Sequence, residues 1–262
     1  MVVQYKINYL KPDANLRKFE RLIRKYKFLK PDLIIFPEYG LTGPLFGHYD
    51  LAFKINDPIF EKLTEIAKKY KTNIIPGSFV RRVDNKNFNS TCFIDSDGDI
   101  LGFYDKRTLW SSEKRFLTAG KNEGIFETKI GKIAIQICAD LSSPRISDAY
   151  KNLKPEIVVN LALWSEEDMK AARKKVPNNI EKIQTEVLVR ARSLESKAYT
   201  IFCNYAGQVN IVAKSGRNYG ETSIGNTMIV NPYGEIISKV SDNREQLLTV
   251  ELDLSKCHWA NY

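Results

Sequence analysis

With 262 residues the chain has the length of one large domain or two small ones, long enough to bury a sizeable core. Hydrophobic residues make up 43% and charged residues 27%, with 14 Gly and 10 Pro, which excludes a disordered or collagen-like chain. The net charge of +9 is scattered over many segments instead of gathered into one stripe, so it reads as a solubilising surface, and nucleic acid is not an expected partner.

The longest apolar runs, Leu33 to Phe36 and Ile157 to Val159, fall far short of the ~18 apolar residues of a membrane span. The first residues, Met1-Val2-Val3-Gln4-Tyr5-Lys6, lack the basic and apolar regions of a secretory signal, so the expected address is the cytoplasm with no membrane partner. Cys92, Cys138, Cys203 and Cys257 stand far apart with no Cys-x-x-Cys pair, and His48 and His258 have no second histidine at ligand spacing. No metal site built from cysteine or histidine is expected.

In chain order, Val2 to Asn8 alternates as a strand does, and Ala14 to Lys27 places Leu16, Phe19, Leu22, Ile23 and Tyr26 on one helical face. A buried strand over Leu33 to Phe36 stops at Pro37, and Gly40, Gly43, Pro44 and Gly47 then demand a loop. A second amphipathic helix starts near Pro58. Strands follow over Asn73 to Val80, Phe88 to Asp95 and Ile100 to Tyr104, separated by the turns Asp84-Asn85-Lys86-Asn87 and Ser96-Asp97-Gly98-Asp99.

Ile125 to Thr128 and Lys132 to Cys138 form a hairpin through Gly131, a helical stretch begins near Pro144, and Ile157 to Asn160 is a short buried strand. Ser165-Glu166-Glu167-Asp168 resembles a box that opens a helix, and Glu181 to Lys197 is the longest helical segment. Tyr199 to Asn204, Asn226 to Asn231, Glu235 to Val240 and an edge over Gln246 to Asp253 complete a single domain over residues 1–262. Helices alternate with strands, yet several strands are joined by hairpins, so the expected class is layered α/β with mixed sheets.

Glu38, Lys106 and Cys138 share one feature: each ends an apolar strand where a loop begins, the place where α/β sheets put their sites. Taken singly they read as a loop carboxylate, a snorkelling lysine and an inert buried thiol. Together they form a self-sufficient set. A thiol needs a partner that takes its proton, this chain has no histidine placed to do so, and a buried carboxylate with a raised pKa serves instead. A nearby lysine supplies positive charge for an oxyanion on an attacked carbonyl or nitrile carbon.

Phe36-Pro37-Glu38-Tyr39-Gly40-Leu41-Thr42-Gly43, Tyr104-Asp105-Lys106-Arg107-Thr108-Leu109-Trp110 and Ile137-Cys138-Ala139-Asp140-Leu141-Ser142-Ser143-Pro144 resemble, in order and spacing, the signature segments of the nitrilase superfamily of carbon-nitrogen hydrolases. Glu113 through Phe116 to Gly120 resembles the segment that carries a second active-site glutamate. Arg192 to Ser196 with Asn204 and Gly207, and Gly225 to Gly234, resemble the late helix, strand and closing hairpin. The resemblance covers nearly the whole chain.

It implies a four-layer α-β-β-α sandwich, with Cys138 as nucleophile, Glu38 as general base, Lys106 and the Ala139 N–H as oxyanion donors, and Glu113 orienting substrate or water. It implies no metal or organic cofactor, a small-molecule amide or nitrile substrate, and a homodimer joined through the helical layer after the cysteine. Leu45, Phe46 and Trp164 are candidate pocket walls, and ordinary packing explains them equally well. Ser142, Arg145, Ala139 and Gln184-Thr185 depart from residues common in the family, which leaves the subfamily open. The expected activity is hydrolysis of a small linear amide. A nitrile or ureido hydrolase with the same triad, acyl transfer to an amine, and a catalytically silent basic binding protein are the alternatives.

Overall fold

A computed structural model describes residues 1–168 and 175–259. In chain order its elements are β1 (Val2–Gln4), α1 (Pro12–Tyr26), β2 (Leu33–Ile35), α2 (Pro58–Tyr70), β3 (Asn73–Ile75), β4 (Phe79–Val83), β5 (Lys86–Ile94) and β6 (Ile100–Asp105). They continue with β7 (Ile125–Thr128), β8 (Gly131–Ile137), α3 (Pro144–Leu153), β9 (Ile157–Ala162), α4 (Ile180–Ser196) and β10 (Tyr199–Asn204). Five strands close the fold: β11 (Gln208–Val212), β12 (Asn218–Thr222), β13 (Met228–Val230), β14 (Ile236–Lys239) and β15 (Gln246–Leu248). No helix among the described residues is long and apolar enough to cross a membrane.

Period-two alternation along the strands builds the layers. In β2, Leu33 and Ile35 face one core while Ile34, with Phe36 just beyond, faces another; in β9, Ile157 and Val159 face the first core and Val158 and Ala162 face away from it. The first core lies between two sheets, where Val2, Ile75 and Phe93 meet Ile133, Ile135 and Ile201. On the outside of one sheet, Leu16, Phe19 and Ile23 of α1 and Ile59, Leu63 and Ile66 of α2 cover Val3, Ile34 and Ile94. On the outside of the other, Ile146 and Tyr150 of α3 and Val189 of α4 cover Ala134, Val158 and Phe202. The order is α-β-β-α.

Both sheets are mixed. The first runs β15-β1-β2-β3-β5-β4 with β6 added to β5, parallel between β1, β2 and β3 and antiparallel elsewhere. The second runs β14-β13-β10-β9-β8-β7, with a parallel centre of β10, β9 and β8.

Several boundaries differ from the sequence expectation. The helix expected from Ala14 begins at Pro12, because proline lacks only an N–H that the first turn leaves unpaired anyway. The strand expected over Asn73 to Val80 is two strands, β3 and β4, broken where Pro76 offers no N–H and Gly77 turns the chain at φ +79°. The final edge strand stops at Leu248. A hairpin absent from the sequence reading, β11 with β12, stands apart as its own two-stranded sheet.

Candidate active site

Glu38 lies just past β2, in a loop that the neighbouring chain holds down. The Tyr39 N–H donates to Ser78 Oγ at 3.0 Å, and Tyr39 takes φ +53°. A Cβ built at Gly77 would sit 2.1 Å from the Pro37 carbonyl oxygen, so only glycine lets this loop close on the β3–β4 bend. Lys106 follows β6, its N–H donating to the Asn89 carbonyl at 2.8 Å and its own carbonyl accepting from Gly120 at 2.9 Å. A Cβ at Gly120 would come within 2.0 Å of the Asp105 carbonyl oxygen. That close approach places the loop carrying Glu113 against the end of β6.

Cys138 directly follows β8 and opens a 3-10 turn at φ +49°, a conformation that costs about 1 kcal/mol or more for a residue with a side chain. Asp140 over-determines it. The Asp140 carboxylate accepts from the N–H groups of Ile137 (3.0 Å) and Thr108 (2.6 Å) and from the Tyr104 hydroxyl (2.7 Å), while Asn160 donates to the Cys138 carbonyl at 3.3 Å. One carboxylate thus ties the cysteine turn to β6 and to the segment that follows Lys106.

The side chains converge. Lys106 Nζ lies 2.9 Å from Glu38 Oε1 and 2.8 Å from Glu113 Oε2, with the Lys106 and Glu38 side chains each only 2% exposed. Asn89 Nδ2 bridges the two carboxylates at 2.8 and 3.0 Å. Glu38 Oε2 accepts the Leu163 N–H at 2.7 Å. Glu113 accepts in addition from the Tyr39 hydroxyl at 2.6 Å and the Trp110 N–H at 2.8 Å.

These partners push the two carboxylates apart. Burial, reinforced by Glu113, raises Glu38 above the usual carboxylate range even though Lys106 pulls it down. Burial works on Glu113 in the same sense, but Lys106, Tyr39 and the Trp110 N–H outweigh it and hold that carboxyl low. For Lys106, burial opposes the charge while Glu38 and Glu113 together sustain it well above the ordinary lysine value. Burial and Glu38 raise the Cys138 thiol well above its ordinary range, so the sulfur rests protonated beside a carboxylate with raised proton affinity.

One cavity of about 140 Å³ is lined by all of Glu38, Lys106, Glu113, Cys138 and Ala139, and also by Leu45, Phe46 and Trp164. That is below the roughly 300 Å³ where drug-sized pockets begin, and suits a small molecule. Trp164 is fixed by hydrogen bonds in both directions with the Asn204 side chain, at 2.9 and 3.0 Å. Leu45 also packs in a small core with Tyr39, Val80 and Leu117. Residues 2–262 match the family model described as carbon-nitrogen hydrolase.

The chain belongs to the carbon-nitrogen hydrolase family. It is 24% identical over 257 residues to the 2-oxoglutaramate amidase of Bacillus subtilis (strain 168), covering 97% of this chain and 90% of that protein. It is 27% identical over 255 residues to an omega-amidase of Yersinia enterocolitica, covering 97% and 89%. The crystal structure of a carbon-nitrogen hydrolase from Helicobacter pylori G27 superimposes with TM-score 0.84 at 20% identity, over 97% of this chain and 89% of that one. The four-layer fold is therefore that of the family.

Sequence reasoning missed several groups at this site. Asn89 sits inside β5, where asparagine is disfavoured, and its presence among buried strand residues was the available signal. Tyr39 and Asp140 lie within the quoted segments but had no role assigned. Asp168, Glu221 and Ile211 also line the cavity. Residues 208–212 alternate exposed and buried, a pattern that marks the first strand of the missed hairpin. Ser165 to Asp168 keeps half of the expected box: the Ser165 N–H donates to Asp168 at 3.1 Å, while the Ser165 hydroxyl donates to Glu221. A 3-10 turn over residues 166–168 follows Ser165 directly, and any continuation of it lies outside the described residues.

Proposed function

We propose that the chain works as a single-domain amidase that hydrolyses a small linear amide through a thioester on Cys138. The observation that carries this reading is the Glu38–Lys106–Glu113 cluster buried in one small cavity with Cys138. Cys138 Sγ attacks the amide carbonyl carbon as its proton passes to Glu38, whose raised proton affinity suits a base that must also return the proton. The carbonyl π pair moves onto oxygen.

An ammonium has three N–H bonds, and Glu38 and Glu113 take two of those of Lys106, leaving the third for that oxyanion, with the Ala139 N–H as second donor. Glu38 then protonates the amide nitrogen, the C–N bond breaks, and ammonia or an amine leaves. A water, deprotonated by Glu38, attacks the thioester, the C–S bond breaks, and the sulfur regains its proton. Glu113, held low beside Lys106, keeps its charge and anchors the ammonium throughout. The amidase names of the relatives support an amide as substrate. Ile183 and Val187, exposed apolar residues of α4, support a homodimer joined through the α3–α4 layer.

Ammonia release across a panel of small amides and nitriles tests the reading. Wild type is expected to act on amides, and Cys138→Ala to lower turnover by about 10⁵-fold or more with its circular dichroism unchanged. A slow electrophilic substrate should leave one adduct, on Cys138. Adduct on Cys92, Cys203 or Cys257 with activity lost in step, or release from nitriles alone, would overturn it.

A further inference from the structure

The cavity has a second end, and its charge is unsuited to a carboxylate. Among the described residues Lys106 is the sole basic side chain lining the cavity, against the carboxylates of Glu38, Glu113, Asp168 and Glu221. Glu38 and Glu113 already bracket that lysine. Asp168 and Glu221 instead receive neutral donors: the Ser165 N–H at 3.1 Å to Asp168 Oδ2, and the Ser165 hydroxyl to Glu221 Oε2. Glu221 stands on β12, which is held in place where Ser165 bridges Ser223 and where the Thr222 N–H donates to Glu167 at 2.8 Å.

Burial raises Asp168 to about 7, and Glu221, Glu38 and Glu181 push it the same way. Burial also raises Glu221, with Glu167 adding to it. Among the described residues no basic group offsets either shift, so an incoming cation relieves both. Leu45, Phe46, Trp164 and Ile211 line the same cavity with apolar surface. The walls therefore combine an amide-cleaving centre, a greasy surface and an unmatched acidic pair, which is the outline of an aliphatic amide with an ammonium on its tail.

Resting on the amidase reading, we propose that the preferred substrate is an amide whose distal end carries a positive charge seated by Asp168 and Glu221, and that amides ending in a carboxylate are turned away. The 2-oxoglutaramate in the name of the Bacillus relative carries a carboxylate, so the substrate does not follow from that likeness.

Calorimetric titration of the folded Cys138→Ala chain with 5-aminopentanamide, pentanamide and glutaramate tests the tail without needing turnover. The amine is expected to bind at least about tenfold tighter than either of the others. Raising the salt should weaken the amine and leave pentanamide unchanged. In the same background Asp168→Asn and Glu221→Gln should each reduce the ratio of amine to pentanamide affinity by about threefold or more. Glutaramate binding as tightly as the amine, or a ratio untouched in both folded variants, overturns the proposal. Ammonia release by wild type is read separately: its absence for all three amides would remove the amidase reading, while the binding order would still decide the tail.

Discussion

The two ends of the cavity handle buried charge in opposite ways. At the Cys138 end, Lys106 lies between Glu38 and Glu113, and Asn89 donates to both carboxylates. At the hairpin end, Asp168 accepts the Ser165 backbone N–H and Glu221 accepts the Ser165 hydroxyl, both neutral donors. Buried charges that lack a counter-charge are destabilising, whereas a matched set holds its protonation states and its geometry. The difference teaches that one pair of carboxylates carries its counter-charge within the fold, whereas the other is met, among the described residues, by neutral donors alone.

The sharpest way to break the comparison is to remove the shared cation. Lys106→Met is expected to lower kcat by about 10²-fold or more, the size of one lost oxyanion donor. It should also lower the unfolding free energy by about 3–5 kcal/mol, because two buried carboxylates lose their partner. Steady-state kinetics and urea unfolding of the same preparation measure both. Lys106→Arg should not restore activity, since a planar guanidinium cannot replace an ammonium between two carboxylates 2.9 and 2.8 Å away. An arginine variant at full activity would reduce the lysine to a generic charge.

A smaller effect is expected at Glu113, where Gln keeps the shape and removes the charge that holds Lys106 from its second side. Turnover should fall by about tenfold or more with thiol labelling intact. Glu123 is the control: it pairs with Arg107 at the surface, where such pairs contribute ~0–1 kcal/mol, so Glu123→Gln should behave as wild type. Equal, near-wild-type rates in both variants would detach Glu113 from the site.

At the hairpin end the prediction concerns stability. Asp168 has its ordinary value of 3.8 when unfolded and about 7 when folded, so the folded state binds the proton more tightly. Stability is therefore lost as pH rises from about 4 towards 7. Asp168→Asn removes that loss and should leave the chain no more stable than wild type at pH 4 and up to about 4 kcal/mol more stable at pH 8. Unfolding curves across that range decide it. A stability difference independent of pH would show that the carboxyl is not strained by its surroundings.

What was legible in the sequence was local. Alternation and helical spacing revealed the apolar faces of β2, β8, β9, α1 and α2, because each strand or helix face must find a core wherever it is placed. Glu38, Lys106 and Cys138 were legible for a related reason: each follows an apolar strand directly, and the end of a strand is visible from its own residues. Boundaries were less so. Pro76 and Gly77 sat within the expected strand, yet what they achieve, seating Gly77 under the Pro37 carbonyl, depends on a loop about forty residues away in the chain.

The sequence by itself determined the layered α/β class and singled out a thiol, a carboxylate and a lysine at the ends of apolar strands. Only the tertiary structure decided that Glu38 is raised and Glu113 lowered, since those directions depend on which donors reach each carboxylate: Leu163, Asn89 and Tyr39 come from three separate segments. It also decided that Asp168 and Glu221, 53 positions apart in number, line the same cavity as Cys138 and meet through one serine. Hydrophobic periodicity is a property of consecutive residues, whereas the electrostatic state of a buried group is set by whatever the fold brings within a few ångströms of it.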